Sequence, residues 1–360
     1  MPPAPATRDR WIESPAFDTL LFAAAPLTGL AFMLVVLSGG FFSRYSNLLF
    51  FAVGMAHYFT TFSFFLGDAN LAHYKTRALA FFGGPALILL GVAALRFGPG
   101  LYVLLAIIYV WNAWHVLLQS CGILSLYRHK AGGPRDEKPW ANAAVISVGF
   151  ALLFWSVPEF EPLRSLEMRV AWWLPDALFA AAAFVALIAV GAYVFRIIKR
   201  TRAGQPMSFA ELLALAAALL IFHPYAWVRN TENATAGMLI GHFVQYLALV
   251  WLLNRRKYAD AVGSRRQNVL RALVRRPPLI AATLLSLTAA VYAFDRGMRV
   301  IGHEQIYFWL WNSLALSHFY LDGLIWSFKN PYVRTSMAPY LSGGRPPALT
   351  PAVAAAATTS

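Results

Sequence analysis

Four histidines in long apolar segments are the residues of this chain best suited to metal chemistry. His57, His115, His242 and His318 each lie in the middle or outer half of a different segment. Neutral imidazole is the commonest metal ligand in proteins. An ionisable side chain within an apolar segment is costly, which makes it a functional candidate. If the four segments converge, the rings could bind one metal ion or flank a haem.

Polar residues accompany three of these histidines at a spacing that favours contact. Each follows its histidine by three or four residues, which places both on one face of a helix. The pairs are His115 with Gln119, His242 with Gln245 and Tyr246, and His318 with Asp322. Such a neighbour can accept the second imidazole N–H and hold the ring in one tautomer. We predict Asp322 and Gln119 as catalytic groups beside the four ligands.

Other polar residues could add ligands to this set. Asp68 and His73 follow the second apolar segment, Gln245 follows His242, and His223 precedes Pro224 near a segment end. Each has a simpler interpretation as well. An isolated histidine in a membrane helix often forms a hydrogen bond to a neighbouring helix, and Asp68 could cap a helix end. Both interpretations stay open at this point.

The composition indicates that the segments carrying these residues cross a membrane. Of the 360 residues, 59% are hydrophobic and only 13% are charged, whereas soluble domains carry about 25% charged residues. Runs of 18 or more apolar residues are typical of spanning helices. A membrane barrel would instead alternate polar and apolar residues. The expected fold is an all-α, polytopic transmembrane helical bundle.

Ten spans are predicted, within a bundle that covers residues 17–328. They lie near 17–38, 47–66, 78–95, 100–125, 141–157, 174–195, 209–228, 237–254, 278–294 and 306–328. Residues 1–16 and 329–360 form the tails, and the second tail is predicted to be disordered from about 342.

The basic residues predict the orientation. With both termini in the cytoplasm, 23 of the 30 Lys and Arg residues fall on the inner side, as the positive-inside rule requires. The net charge of +14 therefore indicates cytoplasmic loops next to membrane lipids, and no nucleic-acid partner is expected. The segment 255–276 alternates arginine pairs with apolar residues, which favours a helix lying on the anionic inner leaflet. We predict a multi-pass protein of a bacterial inner membrane.

Two short motifs, together with the pattern of one histidine per span, resemble the Brp/Blh family of membrane dioxygenases. The motifs are Trp114-His115-Val116-Leu117-Leu118-Gln119 and Asp68-Ala69-Asn70-Leu71-Ala72-His73. That family cleaves β-carotene to retinal and is similar to non-haem iron proteins with histidine ligands on separate spans. The resemblance implies iron and an isoprenoid substrate. The chain departs from the family pattern at Gln119, where the resemblance would imply a second histidine.

These observations lead to three hypotheses from different classes. The first is a non-haem iron oxidoreductase that uses dioxygen on an apolar lipid or isoprenoid, with His57, His115, His242 and His318 as ligands. The second is an electron-transfer subunit in which two of the histidines bind a haem. The third is a transporter whose polar residues line a path, although no inverted repeat is visible in the sequence.

Overall fold

The computed structural model describes residues 11–40, 43–156 and 174–342, and these ranges contain helices and no strand. We number the helices α1 to α15 in chain order. They are Pro15–Asp18, Ala25–Leu37, Ser43–Phe62, Asp68–Thr76, Gly84–Phe97, Leu101–Lys130, Lys138–Ser156, Leu174–Arg202, Phe209–Leu220, Pro224–Trp227, Thr231–Tyr258, Arg265–Arg275, Pro277–Val300, Glu304–Ile325 and Pro331–Ser342. Short π or 3-10 turns cover Thr19–Ala23, Ser63–Leu66, Leu79–Gly83 and Arg135–Glu137.

Seven helices in the described ranges are long and apolar enough to cross a membrane. They are Leu48–Leu66, Leu79–Phe97, Leu101–Lys130, Arg135–Ser156, Asp176–Arg202, Thr231–Tyr258 and Pro277–Val300. Many of their apolar side chains point outward: Leu187 is 74% exposed and Leu285 is 62% exposed. Exposing such surfaces to water would be unfavourable, whereas lipid accepts them. The prediction of an all-helical, multi-pass membrane protein is confirmed.

The first predicted span is bent. Pro15–Ala23 and Ala25–Leu37 together are apolar enough to cross, but their axes differ by 47°. A π turn at Thr19–Ala23 precedes the bend, and Pro26 lies in the first turn of α2. Proline has no N–H to donate, so a helix readily restarts there. With this pair counted as one span, the total is up to 8.

The remaining two predicted spans, near 209–228 and 306–328, contain other helices. Helix α9, Phe209–Leu220, is 12 residues long, shorter than the roughly 20 residues a span needs. Helix α14 occupies Glu304–Ile325. The predicted second tail begins with helix α15, and residues 343–360 of that tail lie outside the described residues, as do residues 1–10.

The chain divides into two compact units. The first comprises Met1–Phe50 and Tyr109–Gln245, and the second comprises Phe51–Ile108 and Tyr246–Ser360. The boundaries fall within helices α3, α6 and α11. In the second unit, Trp309 on α14 donates from Nε1 to the carbonyl of Leu89 on α5 at 2.9 Å. Gly84 at the start of α5 faces the ring of Tyr320, where a Cβ atom would have no room.

Small residues bring α2 and α11 together in the first unit. A Cβ atom added to Gly29 would lie 2.3 Å from the carbonyl oxygen of Gly237, and one added to Gly241 would lie 2.7 Å from that of Ala25. Each helix therefore offers two small residues four positions apart, Ala25 with Gly29 and Gly237 with Gly241. This spacing is typical of tightly packed membrane helices.

We expect Gly29→Ala to lower stability by about 1–3 kcal/mol, because the added methyl group would overpack this contact. Gly191→Ala is the matched control. It lies on the outer face of α8 with no atom within 4 Å of its Cβ position, so it should be neutral or stabilising by up to about 1 kcal/mol. Thermal unfolding in detergent measures both. Equal melting temperatures for the two variants would contradict the close packing.

A buried ring of four charges lies in the first unit. Arg128 at the end of α6 contacts Glu137 and Glu211, both at 3.2 Å, and Arg200 on α8 contacts the same two carboxylates at 3.1 and 3.2 Å. Arg128 also donates to the hydroxyl of Tyr193 at 2.7 Å. The charges balance, and each carboxylate accepts a hydrogen bond from both guanidinium groups, which favours burying ions.

The basic segment 255–276 forms a surface helix only in its second part. Helix α12, Arg265–Arg275, has Ser264 as its N-cap. Leu270 and Val274 are buried against Tyr258, whereas Val269 is 48% exposed. Part of the apolar face of this helix therefore packs against Tyr258, and the prediction that the helix lies on the inner leaflet stays a prediction.

Candidate metal centre

The four predicted histidines form one group. One imidazole nitrogen from each of His57, His115, His242 and His318 lies within 4.8 Å of the others, and all four side chains are buried. Their residues are between 0% and 8% exposed. They come from helices α3, α6, α11 and α14, respectively. These four buried histidines can hold a metal ion.

The spacing suits a single ion with imidazole ligands. Metal–imidazole bonds are about 2.0–2.1 Å long, so two ligand nitrogens on one ion are at most about 4.2 Å apart. The four ligand nitrogens lie within 4.8 Å of one another, which is only slightly more than this maximum separation. Small side-chain movements can therefore bring them to bonding distance of one ion. Imidazole ligands suit zinc, copper, iron and nickel.

The second unit holds His318 by a network of buried polar groups. Thr61 Oγ1 lies 2.7 Å from His318 Nδ1, 2.6 Å from the Tyr246 hydroxyl and 3.3 Å from Asp322 Oδ1. The Tyr246 hydroxyl donates to Asp322 Oδ1 at 2.7 Å. If Nδ1–H donates to Thr61, whose own hydroxyl donates to Asp322, then Nε2, which lies 3.8 Å from Asp322 Oδ2, is the nitrogen whose lone pair a metal would use. This is how neighbouring groups usually orient a metal-binding histidine.

Aromatic rings surround the same part of the second unit. The His57 ring lies 4.4 Å from the rings of both His318 and Tyr246. Tyr58 lies 5.2 Å from His318 and 5.6 Å from Trp311. An apolar aromatic environment excludes water and strengthens electrostatic interactions with a bound ion.

The first unit places His115 and His242 together. Their rings are 5.0 Å apart and nearly perpendicular, at 86°. The predicted catalytic residue Gln119 donates from Nε2 to the carbonyl of His242 at 3.3 Å, so it ties α6 to the backbone beside a predicted ligand. Gln245 donates to the carbonyl of Phe22 at 2.9 Å. Phe22 lies in the π turn before the bend in the first span, and Gln245 satisfies one of the carbonyls there.

Comparison of the chain with protein-family models, with curated proteins and with solved structures gave no match. The chemistry of the centre is therefore inferred from its own residues. Within the described ranges, the group that can hold a metal consists of the four predicted histidines.

The remaining predicted residues lie elsewhere. Asp68 accepts from the backbone N–H of Ser264 at 2.8 Å, and its own N–H donates to Gln267 at 3.1 Å. It anchors the loop before α12. His73 stacks on Tyr332 at 3.9 Å. His223 Nδ1 lies 3.0 Å from the carbonyl of Leu220, at the end of α9. None of these three belongs to the four-histidine group.

Thr61 is the main residue of the site that the sequence interpretation missed. It follows His57 by four residues, so it lies on the same face of α3, and this spacing is the signal that could have identified it. Thr61 contacts His318 directly, whereas the sequence analysis had predicted Asp322 as the polar neighbour of His318. One hydroxyl thus links a predicted ligand to a predicted carboxylate.

We expect Thr61→Val to lower the affinity for metal by about 10–100-fold, the usual effect of removing a group that orients a ligand. Thr60→Val is the matched control, because the Thr60 hydroxyl donates only to Ala56 of its own helix, at 2.6 Å. Competition against a chelator measures the affinity of each variant. If Thr61→Val binds metal as tightly as Thr60→Val, the hydroxyl does not orient His318.

Proposed function

We propose that this protein is a membrane-embedded, non-haem iron oxidoreductase that acts on an apolar lipid or isoprenoid with dioxygen as the oxidant. The observation that carries the proposal is the convergence of four buried histidines from four helices. An all-imidazole set fits a redox metal such as iron or copper.

The packing of the four rings favours a bare ion over haem. A porphyrin occupies the four equatorial positions of its iron, so only two histidines can bind, one on each face. Here all four ligand atoms lie within 4.8 Å of one another. A porphyrin placed between two of them would collide with the other two rings.

The chain supplies orientation and exclusion of water, while bound iron would supply the redox chemistry. Thr61 contacts His318 Nδ1 and donates to Asp322 Oδ1, which also accepts from the Tyr246 hydroxyl. Gln119 fixes the backbone of the helix that carries His242. The surrounding aromatic side chains suit an apolar substrate, which can reach the centre from the bilayer.

The proposal includes the membrane arrangement. Ten spans with both termini in the cytoplasm would place the loops rich in Lys and Arg beside anionic lipids of a bacterial inner membrane. The bent first span would count as one crossing. The predicted span near 209–228, which contains α9 and α10, and helix α14 would account for the two crossings beyond the up to eight with sufficient length and apolarity.

The test is the metal content and visible spectrum of the detergent-purified protein, followed by dioxygen uptake. We expect about one iron per chain without a Soret band, and uptake that depends on an added carotenoid or other apolar lipid. A Soret band would replace the proposal with the haem-binding alternative. A preparation that is replete in other metals but free of iron, with no dioxygen uptake, would contradict the oxidoreductase.

A further inference from the structure

A second cluster of polar side chains lies in the second unit, apart from the four histidines. Lys257, in the last turn of α11, donates to Asn70 Oδ1 at 2.9 Å, and the Tyr332 hydroxyl donates to the same oxygen at 2.9 Å. His73 stacks on the Tyr332 ring. The Lys257 ammonium also lies 5.3 Å from the centre of the Tyr258 ring. Three helices, α4, α11 and α15, thus meet around one cation.

Several buried polar atoms in this cluster have no hydrogen-bond partner within the described residues. They are both ring nitrogens of His73 and the hydroxyl oxygens of Tyr74 and Tyr258. These three residues are 7%, 1% and 3% exposed. Buried polar atoms in native proteins nearly always have partners, so such a concentration points to a bound ion or water.

The cluster carries positive charge without a matching carboxylate. Two acids lie near it, and both are engaged elsewhere: Asp68 with Ser264 and Arg266, and Asp322 with Tyr246 and Thr61. Burial lowers the pKa of the His73 imidazole, and the nearby positive charge of Arg77 lowers it further. The partly buried Lys257 ammonium contacts a neutral amide oxygen and an aromatic ring. These neighbours compensate its positive charge incompletely.

The unpartnered hydroxyls are available as donors. Burial, followed by the proximity of Tyr332, raises the pKa of Tyr74 above its ordinary value, so this hydroxyl keeps its proton at neutral pH. Neutral His73 has one N–H to donate. The missing partner must therefore accept several hydrogen bonds and carry negative charge, and an oxyanion meets both requirements.

We propose that Lys257, His73 and the hydroxyls of Tyr74 and Tyr258 bind an oxyanion, a phosphate or carboxylate group. Lys257 stands at the end of the span Thr231–Tyr258, and α4 follows the span Leu48–Leu66. This is the level of lipid headgroups in a bilayer. The same chemistry would recognise the phosphate of an anionic lipid or a free phosphate ion.

Thermal unfolding of the delipidated full chain in neutral detergent tests this site. The probes are inorganic phosphate and phosphatidylglycerol in mixed micelles, each at fixed ionic strength. Lys257→Met is compared with Lys329→Met, an exposed lysine that lies outside the cluster. A ligand that binds only the folded state raises the melting temperature with its concentration.

We expect at least one probe to stabilise wild type and Lys329→Met, with an apparent affinity at least tenfold lower in Lys257→Met. Stabilisation by the lipid alone assigns the site to a headgroup, and stabilisation by phosphate also assigns it to the free ion. His73→Phe keeps the ring stacking and removes both nitrogens, so it should weaken the response even if Lys257→Met fails to fold. No stabilisation of wild type, or equal responses in all variants, would overturn the site.

Discussion

His115→Ala and His318→Ala should each reduce the bound metal to less than about one-tenth of the wild-type content. Each substitution removes one of the four converging imidazoles, and an ion left with three protein ligands is held less tightly. Elemental analysis of protein purified in parallel measures the loss.

Two further histidines serve as controls for that result. His129 is exposed at the end of α6, and His223 lies at the end of α9 beside the Leu220 carbonyl. Alanine at either position should leave the metal content unchanged. Metal that persists in His115→Ala but not in His318→Ala would remove His115 from the centre, and loss in His223→Ala would add a ligand.

Glu211→Gln should destabilise the protein by about 3–5 kcal/mol, the usual effect of breaking a buried ion pair on one side. Glu211 is 1% exposed and contacts both Arg128 and Arg200. Its neutralisation leaves two buried guanidinium groups with one carboxylate, Glu137. Equilibrium unfolding in mixed detergent micelles gives the free energy.

Asp136→Asn is the matched control for the buried ring, because Asp136 pairs with Arg196 at 3.3 Å on the exposed side of the same region. Exposed pairs contribute about 0–1 kcal/mol. The double variant Arg128→Met/Glu211→Gln should lose less than the sum of its single variants, since it removes opposite charges together. Similar losses from Glu211→Gln and Asp136→Asn would show that the ring contributes little.

The apolar helices and the candidate ligands follow from local sequence. Each span needs a long run of apolar residues, and a histidine within such a run is conspicuous because burying it is costly. The convergence of His57, His115, His242 and His318 could not be derived in this way. It depends on which helices are neighbours, and periodicity within one helix carries no information about that.

The buried ring of charges shows a second limit of the sequence interpretation. Arg128 and Arg200 count equally with loop cations under the positive-inside rule, which concerns the side of the membrane and not burial. The structure pairs them with Glu137 and Glu211. The sequence did contain a signal for these ion pairs. It was the presence of acidic residues close to helix ends that are otherwise rich in basic residues. The bend after Ala23 was not predicted from the sequence. Pro26, in the first turn of α2, was the main residue that indicated it.

The cluster around Lys257 also depends on long-range contacts. Asp68 and His73 were predicted as possible further metal ligands, and Asn70 lies between them in the same motif. In the structure Asn70 accepts from Lys257 and Tyr332, which are more than 180 residues away along the chain. Contacts of this kind become visible only when the tertiary arrangement is known.

X-ray absorption at the K-edge of the bound metal tests most directly whether the four histidines hold one ion. We predict four nitrogen neighbours at about 2.1 Å, close to the usual metal–imidazole distance, with the outer-shell scattering of imidazole rings. His57→Ala, if it retains any metal, should show three. A shell with two or fewer imidazoles in the wild-type protein, or one dominated by oxygen, would contradict the four-histidine centre.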